Sequence, residues 1–231
     1  MQTIGRDAAD SLIGWWLEAG VDAPVGEAPR DWLRRNPAPK PMATPLTNVS
    51  EPNPETLADL RSWLESSIQL PLATATARRI LPHGPEDAAV MLISDAPALE
   101  DLASGQPIGG EAWNLAVKML AAIGVGADDA YSASLSCIHS LGARMTDKER
   151  AECAAIALRH VTLARPKRLI LFGDGPCKAL LGEPLARARG RVHRIEGTRT
   201  VATFHPRWLL QRPSDKALAW RDLLLLMSEN D

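Results

Sequence analysis

The chain has 231 residues, 45% hydrophobic and 23% charged, with a formal net charge of −2 at neutral pH. That composition can bury a core over most of its length and excludes a polycation, so nucleic acid would have to be met by a local basic surface rather than by global attraction. Three scattered cysteines do not make a disulfide scaffold, and no run approaches the ~20 apolar residues of a membrane span; a reducing, cytoplasmic location and no membrane role are expected.

The N-terminal stretch MQTIGRDAADSLIGWWLEAG has an acidic residue inside its apolar part and does not read as a secretory signal. Residues 8–20 form an amphipathic helix, with Leu12, Ile13, Trp16 and Leu17 as its stripe and Gly20 at its end. Residues 1–35 are thus an N-terminal helical segment, which offers a surface for a protein partner. Residues 36–54 hold Pro37, Pro39, Pro41, Pro45, Pro52 and Pro54 and read as an extended linker. The main domain then spans 55–231. It opens with a helix that places Leu57, Leu60, Trp63 and Leu64 on one face.

AAVMLIS at 88–94 is an apolar run suited to a strand buried on both faces. A loop follows, then a helix through Leu115, Met119 and Ile123. AYSASLSC is a second strand. A helix over 146–164 begins with the capping-box pattern TDKE. RLILFG at 168–173 is the third strand, followed by a helix over 176–182. TVATF at 200–204 is the fourth strand, and it runs into HPRWLLQRP and a leucine-rich C-terminal helix.

Strands alternating with helices predict an α/β three-layer sandwich with a central, mostly parallel four-stranded sheet. Ligands of such sheets sit beyond the C-terminal ends of the strands. SDAPALED, the loop after Cys137, and HPRWLL all lie there.

Those segments, in that order over roughly residues 66–228, resemble the uracil-DNA glycosylase superfamily, most closely its iron–sulfur (family 4) type. MLISDAPALED is similar to the family's first motif, GQPIGG to its second turn, RPKRLILFGDGPCKALLG to its Pro-Lys strand and glycine turn, and ATFHPRWLLQRPSDKALAWRDLLLL to its second catalytic motif and closing helix. The resemblance implies DNA as partner and a flipped uracil or related base cut from its sugar. It puts His205 where a donor faces the charge on the leaving base, and Asp95 where an acid activates water or stabilises the sugar cation. Ala96, Pro97, Ala98, Ile108 and Ala133 take base-pocket positions. Pro107, Pro206, Arg207, Arg212 and Arg191 take DNA-contacting ones.

The sequence also departs from that family. Ile108 stands at the position of a stacking phenylalanine, and Ala133 at that of a base-reading asparagine; alanine has no side-chain donor or acceptor. Ser94 and Ala98 replace glycines. Of the four cluster cysteines, Cys137 and Cys153 match the last two, whereas Ser67 and Leu70 occupy the first two positions, so no metal is expected and the cysteine pair reads as a relic. Two readings stay open: an active glycosylase of altered specificity, or a catalytically impaired DNA-binding or repair-complex protein on the same scaffold. The individual residues also have plain readings. His205 can be a strand-end cap, Asp95 a turn residue, and the two cysteines small buried hydrophobes.

Overall fold

A computed structural model describes residues 54–74, 76–139 and 145–228. The segment 1–35 and the linker 36–54, apart from Pro54, lie outside the described residues. The elements run α1 (Leu57–Ser66), β1 (Val90–Ser94), α2 (Leu99–Ser104), α3 (Gly110–Ala122), β2 (Ala130–Ser134), α4 (Asp147–Ala164), β3 (Arg168–Phe172), α5 (Asp174–Leu180), α6 (Leu185–Ala188), β4 (Val192–Ile195), β5 (Thr198–Thr203), α7 (Pro206–Gln211) and α8 (Lys216–Met227).

The sheet order is β2-β1-β3-β5-β4, parallel except for β4, which pairs antiparallel with β5. Residues alternate faces along each strand, so VMLIS feeds two cores at once. Val90 and Leu92 join Ile170, Phe172, Val201, Leu120 of α3 and Leu223 and Leu226 of α8. Met91 and Ile93 join Leu169, Leu171, Leu60 and Leu64 of α1, and Val161 of α4. This is the three-layer sandwich expected.

The four expected strands are present, and a fifth corrects the count. RVHRI, with Arg191 and Arg194, makes no apolar run and is not among the four strands expected. It is instead an edge strand, where charged side chains face solvent. Glu196 and Gly197, with φ of 47° and 77°, make the two-residue left-handed turn of a hairpin. The expected loop after β1 contains the short helix α2, and HPRWLLQ forms α7. The box at TDKE forms as read: Thr146 Oγ1 accepts from the Glu149 N–H at 3.2 Å, and Glu149 Oε2 accepts from the Thr146 N–H at 2.7 Å.

Candidate active site

β1, β3 and β5 end side by side, and the residues after each end line one edge of the sheet. With neighbouring strands about 4.8 Å apart, the backbones that carry Asp95 and His205 stand roughly 10 Å from one another, with Gly173 between them.

His205 is the N-cap of α7. Its Nδ1 accepts from the Arg207 backbone N–H at 3.0 Å, which satisfies one orphan donor of the helix start. Burial first, and the Arg207 charge second, lower its pKa to about 3. The ring is therefore neutral at neutral pH. Because Nδ1 accepts, the remaining proton sits on Nε2 and makes it a donor. Phe172 meets the ring edge-on at 5.9 Å between centroids and fixes its plane.

Asp95 follows β1. Its surface is accessible, yet one side of the carboxyl group packs on the turn after β3. A methyl group at Gly175 would overlap the Asp95 carboxylate, so the bare glycine lets that carboxylate rest where it does. Burial raises the Asp95 pKa above the ordinary carboxylate value. The Ala96 N–H, Arg150 and Lys178 pull it down, and Asp174 pushes it up. The result is a carboxyl group that takes up its proton at a higher pH than an ordinary aspartate does.

Asp101 joins three segments of this edge. It is 1% exposed. Its Oδ2 accepts from the Ala98 N–H at 2.7 Å, and its Oδ1 accepts from the Gly109 N–H at 2.7 Å and from Arg207 Nη2 at 2.9 Å. The turn after β1, the GQPIGG turn and the segment after His205 thus share one buried carboxylate. His139 adds a fourth strut: its Nδ1 lies 2.6 Å from the Pro97 carbonyl, which makes Nδ1 the donor. Sequence reasoning missed Asp101, Gly175 and His139. Asp101 had a signal, since an acid three residues after a helix start is a capping position. His139 had none.

The remaining expected site residues are placed as follows. Pro97, Pro206 and Ala133 are buried, and Ala96 and Ala98 are half-buried. Ile108 is fully buried among Phe172, Leu92 and Ala112, and Ala133 packs in the opposite core. Ser94 Oγ lies 3.3 Å from Ser134 Oγ and 3.4 Å from the Pro107 carbonyl, so a hydroxyl pair spans the ends of β1 and β2 beside the GQPIGG turn. Arg207 is held by Glu100 as well as Asp101. Arg191 pairs with Glu183. Arg212 stacks 4.5 Å over Trp208, which in turn stacks on Phe204.

Leu70, Cys137 and Cys153 come together around a cavity of about 20 Å³, lined also by Ser134 and Leu135 at the end of β2. Burial raises both thiol pKa values, that of Cys153 to about 12. Among the described residues no three Cys, His, Asp or Glu side chains converge as ligands. An iron–sulfur cluster needs four thiolates. Two protonated thiols facing a leucine do not fit it.

The family model described as the uracil DNA glycosylase superfamily matches residues 81–224. The chain is also similar to the type-4 uracil-DNA glycosylase of Archaeoglobus fulgidus, at 24% identity over 170 residues, covering 69% of this chain and 85% of that protein. It is 22% identical over 151 residues to the type-4 uracil-DNA glycosylase of Thermotoga maritima, covering 63% of this chain and 79% of the relative.

Proposed function

The chain belongs to the uracil DNA glycosylase superfamily as a divergent relative of its type-4 members, and from that premise we propose that it excises a flipped uracil or related damaged base from DNA by hydrolysis. The observation that carries this reading is His205, a neutral imidazole whose Nε2–H is free to donate at the C-terminal edge of the sheet. As the bond between the sugar C1′ and the base nitrogen breaks, its electron pair moves onto the base. A hydrogen bond from His205 Nε2–H to the base oxygen stabilises that charge without transferring a proton. Water then attacks the sugar cation, and Asp95 in its ionised form accepts the proton that water releases.

A second reading is favoured by Ala133 and Ile108. Both are core residues here, which leaves the base edge with no side-chain amide at that strand end. On that reading the scaffold binds DNA or a repair complex without catalysis. The experiment is to incubate the full chain with single- and double-stranded oligonucleotides carrying uracil, hypoxanthine or xanthine, and to score abasic sites and binding together. Abasic product on at least one of these supports the enzyme. Binding without product on all of them supports the second reading and rejects the first.

A further inference from the structure

The segment carrying Ser67 and Leu70 is the one a four-thiol cluster would tie to the loop after β2 and to α4. In this chain it is tied by protein groups alone. Arg79 reaches back to the end of α1, donating from Nη1 to the Leu64 carbonyl at 2.8 Å and from Nη2 to the Ser67 carbonyl at 2.6 Å. A cation there satisfies the last carbonyls of the helix and opposes the negative end of its dipole. Arg79 is itself anchored to the loop after β2. It bridges to Ile138, the neighbouring Ile80 N–H donates to the Cys137 carbonyl at 2.8 Å, and the His139 N–H donates to the Arg78 carbonyl at 3.1 Å. Cys137 Sγ lies 4.0 Å from the same Leu64 carbonyl. Leu70 is 5% exposed and packs in the cluster that holds Leu64, Cys137 and Ile138.

The chemistry around this seam also opposes metal. The cavity of about 20 Å³ admits roughly one water and not a four-iron cluster. A cluster needs four thiolates, and the cavity's lining holds two sulfurs, Cys137 and Cys153. The buried His160, on the same wall, has its Nε2 engaged by the Tyr131 hydroxyl at 2.8 Å.

We infer that Arg79 and Leu70 replace the metal as the staple that holds α1 and residues 67–72 to the core, so that this chain folds and keeps its site independently of iron. The inference does not rest on catalysis. Its test is to purify the full chain from iron-replete cells without exposure to air, measure iron and sulfide, and follow amide hydrogen exchange with and without chelator in wild type, Arg79→Ala and Leu70→Ala. Iron should be far below one per chain, and chelator should leave exchange over 57–72 unchanged. Arg79→Ala should speed that exchange by about tenfold or more, as the loss of two charge-assisted hydrogen bonds predicts, while β1 and β3 stay protected. Leu70→Ala should do the same by opening the apolar seam. Near-stoichiometric cluster iron whose removal exposes 57–72 would overturn the inference. So would wild-type exchange in both variants.

Discussion

Replacing Asp101 with alanine tests whether one carboxylate organises the site. The substitution leaves the Ala98 and Gly109 N–H groups without their acceptor and removes one of the two carboxylates that hold Arg207. Breaking a buried charge pair costs about 3–5 kcal/mol, and bonds to a charged acceptor account for a loss of that size. For a domain of this size each kcal/mol moves the melting midpoint by about 2–4 °C, so a drop on the order of 6–20 °C is expected in thermal denaturation followed by circular dichroism. A double-mutant cycle with Arg207→Ala should return a coupling on the order of 1–3 kcal/mol. A midpoint shift below about 2 °C, or additive single effects, would show that the three segments are held by something else.

The other expectations concern the catalytic groups and DNA. Gly175→Ala should displace the movable end of the Asp95 side chain rather than the fold, so excision should fall sharply while the melting midpoint barely moves; equal losses in both would contradict the role given to Asp95. His160 and His205 have folded pKa values of about 3, so the unfolded chain takes up their protons first. Stability should be complete above the ordinary histidine value of ~6.5 and should decline toward pH 3 by up to about 1.4 kcal/mol per pH unit per histidine, as read from urea titrations at stepped pH. Excision should show an acid limb above the ordinary Asp value of ~3.9, from Asp95, and no inflection near ~6.5. Arg212→Ala should reduce the salt slope of duplex binding by about 0.9 if Arg212 meets one phosphate; Arg207→Ala should change it less, since Arg207 is already paired.

Much of this fold is legible in the sequence because its signals are local. β1 and β3 are unbroken apolar runs, and α4 begins at a capping box readable in four residues. β4 was not legible: an edge strand needs no apolar run, and its only mark is the Glu196–Gly197 turn. The site divides in the same way. His205 and Asp95 stand out because each follows a strand end. Asp101 and Arg207 are 106 positions apart, and Gly175 matters only because Asp95 folds against it. Nothing local in the sequence marks Arg79, which turns inward to cap α1. Such pairings depend on how the strands are ordered, which no local pattern encodes.

In the proposed reaction His205 stabilises the departing base. Single-turnover excision from a base-modified oligonucleotide at neutral pH, compared between wild type and His205→Ala, tests it most directly. The wild type should release base and leave an abasic site, and the variant should be slower by about 10²–10³-fold, the cost of losing one oriented donor to a developing anion. Equal rates in the two proteins would contradict the claim.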